Sequence, residues 1–214
     1  MYSVPELRER RDFRCIHRHN GLMHPKCFDN KYEIKEKVAT LDIETSNLSA
    51  TFGIVLTYCL KPLNGKTIKR SITKDDIERG LYDKLLLRNF CRDVLQFDRV
   101  ITWYGKRFDI PFLRTRCVFW GLDFPVDNEI LHTDAYFISK FKLKMHSNRL
   151  GVVAPFFHIA AKAHPLNPEI WFRCMRGDKK ALKFVLLHNE EDVVSLEKLW
   201  IKLNKYHKLT KTSI

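Results

Sequence analysis

The chain has 214 residues, with 38 Lys and Arg against 25 Asp and Glu, a formal net charge of +13. A hydrophobic content of 45% and an aromatic content of 12% exclude a disordered or low-complexity chain, and suit one sizeable α/β domain plus a small extra segment. No apolar run approaches the length of a bilayer-spanning helix, and the positive surplus suits a polyanionic partner, nucleic acid first.

In chain order, residues 1–34 form a basic segment with Arg8, Arg10, Arg11, Arg14 and Arg18 and no strand or helix period. A separate arm or small subdomain is expected there. Met1 to Arg14 are charged and lack the apolar core of a signal peptide, so a cytoplasmic protein with reduced thiols is expected. Residues 35–214 form the second domain. Residues 38–45 read as a strand, and Phe52 to Leu60, rich in β-branched and aromatic residues, as the next. Asn64-Gly65 signals a hairpin turn before the alternating run Lys66 to Ile72. Thr73, with Asp76 three residues on, resembles a helix cap. Ile77, Leu81, Leu85, Phe90 and Val94 then continue at roughly helical spacing. Arg99 to Tyr104 is a short apolar strand, and Pro111 opens a helix running to about Trp120. Ile130 to Phe137 reads as a strand and Leu150 to Met175 as helical pieces. Asp178 to Tyr206 is the clearest helical stretch, with a break expected near Asn189. The sum is an α/β fold, a mixed sheet of about five strands flanked by helices.

The chemistry begins in Leu41-Asp42-Ile43-Glu44-Thr45. Side chains alternate along a strand, so Asp42 and Glu44 share one face. Two carboxylates side by side in an apolar strand repel each other and are costly to desolvate. A divalent cation that takes oxygen ligands from both relieves this. Asp109 lies where a strand hands over to a helix, and its own residue type also suits a helix N-cap. His188 and Asp192, four apart, share one helical face.

Asp-x-Glu on a first strand, Asp after a middle strand and His-x-x-x-Asp on a late helix together resemble the DEDD superfamily of 3′–5′ exonucleases, which have a ribonuclease-H-like fold. The nearest resemblance is to the predicted exonucleases related to the proofreading domain of family B DNA polymerases. It spans residues 38–204, through Leu41 to Ser46, Phe108 to Leu113 and His188 to Leu196. Two departures stand out. His188 occupies the spacing at which the tyrosine branch carries Tyr, so the chain mixes two branches. Tyr104 stands where an Asn often precedes the second motif. The resemblance implies that Asp42, Glu44, Asp109 and Asp192 hold two Mg²⁺ or Mn²⁺ ions, with Asp42 bridging both. It also implies that His188 orients or deprotonates the attacking water, and that the substrate is nucleic acid, DNA before RNA. Lys106, Arg107, Arg114, Arg116 and Arg149 are candidates to grip the strand. Tyr104 and Phe108 are candidates to stack bases, and Trp103 is expected in the core. The expected activity is 3′–5′ exonuclease. The alternatives are a nucleic-acid-binding module without activity and a structure-selective endonuclease using the same acids.

Five soft or borderline ligands fall between Cys15 and Cys27: the two cysteines with His17, His19 and His24. Cys15 and Cys27 with two of the histidines could close a tetrahedral Zn²⁺ site. Cys15, His19, His24 and Cys27 are taken as that set.

Overall fold

The computed structural model of the chain describes residues 4–15, 17–31, 36–125, 129–160 and 167–207, in two units that divide after Lys37. The first holds two short helices, α1 (Val4–Asp12) and α2 (Pro25–Lys31). No apolar stripe announces α1, because its buried residue is Arg10. The guanidinium bonds Asp29 at 2.7 Å and Glu6 at 3.1 Å, and lies 4.6 Å from the centre of the Phe28 ring.

The second unit is built around β1 (Val38–Thr45), where Ala39, Leu41 and Ile43 are buried on one face and Thr40, Asp42 and Glu44 occupy the other. β2 (Val55–Pro62) pairs with it antiparallel, setting Leu60 beside Leu41, Cys59 beside Asp42 and Thr57 beside Glu44. The Pro62–Gly65 turn, with Asn64 at φ 59°, leads to β3 (Ile68–Ser71), antiparallel to β2. Thr73 then caps α3 (Lys74–Glu78) through a reciprocal bond with Asp76. The expected single helix from Ile77 to Val94 is two. Gly80 at φ 67° ends α3, and α4 (Lys84–Val94) starts afresh after Asp83. Apolar spacing survives such a break because both helices pack on the same face.

β4 (Arg99–Thr102) runs parallel beside β1, and α5 (Asp109–Trp120) follows it. β5 (Leu131–Asp134) is parallel to β4, giving the order β3-β2-β1-β4-β5. The expected strand Ile130 to Phe137 changes to helix halfway: Asp134 caps α6 (Ala135–Lys142) by accepting from the Tyr136 N–H. α7 (Leu150–Phe156) and α8 (Pro168–Met175) fill the mixed region. α9 (Lys179–Leu203) is continuous through Asn189, where a break was expected. Asn189 is fully buried, so packing against the sheet overrides its weak helix preference. A 3₁₀ turn, Asn204–Tyr206, follows.

Helices cover both faces. Leu87, Phe90, Leu113 and Cys117 of α4 and α5 pack with Leu41, Ile43 and Tyr58. Leu196, Leu199 and Trp200 of α9 pack with Ile101, Ile138 and Val153. No helix among the described residues is long and apolar enough to cross a membrane.

Candidate active site

β1 delivers Asp42 and Glu44, both half-buried, to the face that α9 covers. Their charge is felt across the ladder. Burial pushes the Cys59 thiol far above its ordinary range, and Asp42, Glu190 and Glu44 push it further, against Lys69.

The rotation of α9 is fixed by polar contacts to the sheet. Thr40 Oγ1 donates to the Val193 carbonyl at 2.8 Å. Glu197 accepts the Asn64 N–H at 2.7 Å and pairs with Lys61 at 2.8 Å, and Glu190 pairs with Lys69. His188 and Asp192, one turn apart, therefore look onto β1. His188 Nε2 lies 3.6 Å from Glu44 Oε1 and 3.7 Å from Asp192 Oδ2. One ligand atom each from Glu44, His188 and Asp192 falls within 4.8 Å of the others.

Asp109 arrives from the opposite edge of β1. The β1–β4 pairing covers Val38 to Thr40, and beyond it the Ile43 N–H bonds Asp109 Oδ1 at 3.1 Å. Asp109 is thus tied to the residue between Asp42 and Glu44. It does not cap its own helix: Phe108 holds the N-cap position, without a side-chain bond. Burial pushes Asp109 up to about 7, the Ile43 N–H opposes this, and Asp134 and Asp192 add to the rise. Glu44, His188 and Asp192 form the tight cluster, while Asp42 and Asp109 stand beside it.

Asp134 is a fifth acid that the sequence motifs do not mark. Its carboxylate accepts N–H bonds from Tyr104 (2.8 Å), Lys106 (2.9 Å) and Tyr136 (3.1 Å). Burial raises its pKa against those three donors. The available signal was Thr133-Asp134-Ala135, an Asp where strand becomes helix. These bonds fold residues 103–107 tightly over Thr102: a Cβ on Gly105 would sit 2.4 Å from the Thr102 side chain. Tyr104 holds φ 69°. Asn tolerates that left-handed conformation, whereas Tyr adopts it at a cost of about 1–2 kcal/mol.

The expected basic residues divide. Lys106 and Arg107 are exposed and line a cavity of about 490 Å³ with His132, Asp134 and Phe137. Arg149 lines a second cleft of about 470 Å³ with Trp103, Tyr104, Tyr136 and Leu150. Trp103, expected in the core, lines this cleft half-buried while packing against the α9-side core, and donates Nε1–H to the Asn148 carbonyl. Phe108 is half-buried against Phe112 and the α4–α5 core. Arg114 is exposed but lies over Phe124, which stacks on Phe90 of α4. Arg116 is a correction. It is buried on Asp83 through two bonds of 2.8 Å and has no surface to offer a strand.

The zinc set also changes. The ligand atoms of Cys15, His17, His24 and Cys27 lie within 4.8 Å of one another, with His17 in the place expected of His19. The chain doubles back at Cys15, whose N–H bonds the His19 carbonyl at 3.0 Å and whose carbonyl accepts the Arg18 N–H at 2.8 Å. Arg18 takes φ 61° to close this turn. His17 Nδ1 then meets Cys15 Sγ at 3.8 Å, while the His19 ring tilts against that of His24 at 4.2 Å.

The acid cluster fits a divalent cation. Its carboxylate oxygens are the hard donors that Mg²⁺ and Mn²⁺ prefer, and the His188 imidazole stands beside them within reach of a bound water. Beside it the Asn189 amide, on α9, and Thr57 Oγ1, opposite Glu44, are buried without a hydrogen-bond partner among the described residues. Buried polar atoms of this kind suit a hydrated ion more than a dry core.

Comparison with known proteins agrees with this architecture. The structure is similar to that of the family B DNA polymerase from the hyperthermophilic archaeon Pyrobaculum calidifontis, with a TM-score of 0.63 and 17% identity. The similarity covers 78% of this chain and 25% of that one, so the chain spans about a quarter of the polymerase. No curated protein matches the sequence. A family model described as the RNase_H superfamily matches residues 39–204, from the first acidic strand to the end of α9, and the chain belongs to that superfamily.

Proposed function

We propose that the protein is a metal-dependent 3′–5′ exonuclease acting on single-stranded ends, DNA before RNA. One observation carries this reading. Glu44, His188 and Asp192 converge within 4.8 Å, at the point where Asp109 is bonded to the strand between Asp42 and Glu44. Without cations, such a group of acids would only repel a phosphate.

Asp42, Glu44, Asp109 and Asp192 are the residues that would hold two Mg²⁺ or Mn²⁺ ions. When bound, such ions neutralise phosphate charge and make water a nucleophile near neutral pH. His188, set between Glu44 and Asp192, orients a water and takes its proton. The cleft of Trp103, Tyr104 and Tyr136 offers a ring edge and face for a terminal base. Arg149, Lys106 and Arg107 supply phosphate contacts, and the net charge of +13 raises the encounter rate. The 3′–5′ polarity rests on the motif resemblance.

The test is a single gel. Single-stranded DNA and RNA, labelled at either end, are incubated with Mg²⁺, Mn²⁺ or chelator, beside a closed circle. The expected result is stepwise shortening from the 3′ end with metal and none with chelator or with Asp42→Asn. Opening of the circle would instead identify an endonuclease. Retention without cleavage would identify a binding module.

A further inference from the structure

We propose that the N-terminal unit is a zinc-binding module in which Cys15, His17, His24 and Cys27 hold one structural Zn²⁺, a site separate from the acidic cluster and independent of the nuclease reading. Two turns present the four ligands in pairs. The doubled-back turn at Cys15 gives Cys-x-His, and the entry to α2 gives His-x-x-Cys, with His24 just before Pro25 and Cys27 in the first turn. Sγ of Cys15 is 3.8 Å from Nδ1 of both His17 and His24, and Sγ of Cys27 is 3.9 Å from Nδ1 of His24. A tetrahedral zinc with ordinary Zn–S and Zn–N bonds sets S···N edges of about 3.6 Å. The observed spacings are those edges to within a few tenths of an ångström.

The donor chemistry selects the metal. Two thiolates and two imidazoles suit a borderline-soft tetrahedral ion and not Mg²⁺ or Ca²⁺. Two thiolates also balance its charge. Cys15 is buried while His17 is exposed, so the ligands enclose a point near the surface rather than an internal void. The unit has a physical need for such a tie. Its buried hydrophobic residues among those described are Cys15 and Phe28, beside an ion-paired Arg10. Below about 40 residues a compact unit usually needs a metal, a disulfide or oligomerisation to supplement so small a core. Neither Cys15 nor Cys27 is in a disulfide, so both sulfurs are placed to ligate a metal.

The experiment is metal analysis of the full-length protein, with native mass spectrometry, on wild type and on Cys15→Ser, His17→Ala, His19→Ala and Asp192→Asn variants. The expected result is one zinc per wild-type chain. It should be kept in His19→Ala and Asp192→Asn, and lost in Cys15→Ser and His17→Ala. Cobalt exchanged into wild type should show the visible bands of a tetrahedral S₂N₂ site, a readout that does not depend on a variant folding. Wild-type protein without zinc, zinc retained in Cys15→Ser, zinc lost in Asp192→Asn, or a Cys15–Cys27 disulfide in freshly purified protein would each overturn the proposal.

Discussion

On the α4–α5 face of the sheet, buried carboxylates are met by the chain's own donors, as Glu197 of α9 is by Lys61, whereas Glu44 and Asp192 on the α9 face are gathered around a histidine. Asp83 accepts two bonds from Arg116, one from Trp120 Nε1 at 2.7 Å and one from the Val55 N–H at 3.0 Å. Asp93 accepts from Tyr58 at 2.8 Å and from Arg70 at 2.7 Å. Those acids are structural, since cation and donor arrive with the fold. Across the sheet, Glu44 and Asp192 share His188, and Asp109 feels Asp192 and Asp134. Opposing charge in the first case is built in, and in the second the proposed cations would supply it. The same residue type thus takes two roles, and what faces it decides which.

Substitutions should separate the two faces. Asp192→Asn should lower nuclease turnover by about 10³-fold or more, equivalent to about 4 kcal/mol of barrier, without lowering the melting temperature. A large loss of stability would show that the α9 face is structural after all. Arg116→Ala should do the reverse. It leaves Asp83 buried and unpaired and should cost about 3–5 kcal/mol in urea denaturation, with cleavage by the remaining folded protein unchanged. Replacing Asp83 and Arg116 together by apolar residues of similar volume should restore most of that loss. His188→Ala should slow turnover by about 10²-fold with little change in substrate binding. Tyr58→Phe should cost only about 1 kcal/mol, because Arg70 still meets Asp93.

The faces should also differ in the sign of their pH dependence. Burial pushes Asp93 up, but hydrogen bonds from Arg70 and Tyr58 outweigh it, and its pKa is lowered overall. Its stabilisation is present above the unfolded carboxylate range and is lost as pH falls through the lower folded value. Asp109 runs the other way. Its folded pKa of about 7, against 3.8, means that metal-free protein loses stability as pH rises between those values. Chemical denaturation in chelator across that range should show the slope in wild type and a shallower one in Asp109→Asn. An unchanged slope would show that Asp109 is solvated.

Much of this was legible in the residues. Alternation over Val38 to Thr45 is a local property, and so are the one-turn spacing of His188 and Asp192 and the cap at Thr73. Each survives folding unaltered. What escaped depends on partners far along the chain or on backbone torsions. Arg116 reads as a free cation until Asp83, 33 positions earlier, is seen to take it. Asp134 was hidden because an apolar run can be strand at one end and helix at the other. The break at Gly80 leaves apolar spacing intact while changing direction. The choice of His17 over His19 turns on Arg18 entering the left-handed region, which spacing alone does not reveal.

The central claim is tested most directly by calorimetric titration of Mn²⁺ into full-length protein, compared with Asp192→Asn and Cys15→Ser. Binding should be present in wild type and Cys15→Ser and absent in Asp192→Asn. Wild type that takes up no Mn²⁺, or an Asp192→Asn variant that binds it equally well, would contradict the account.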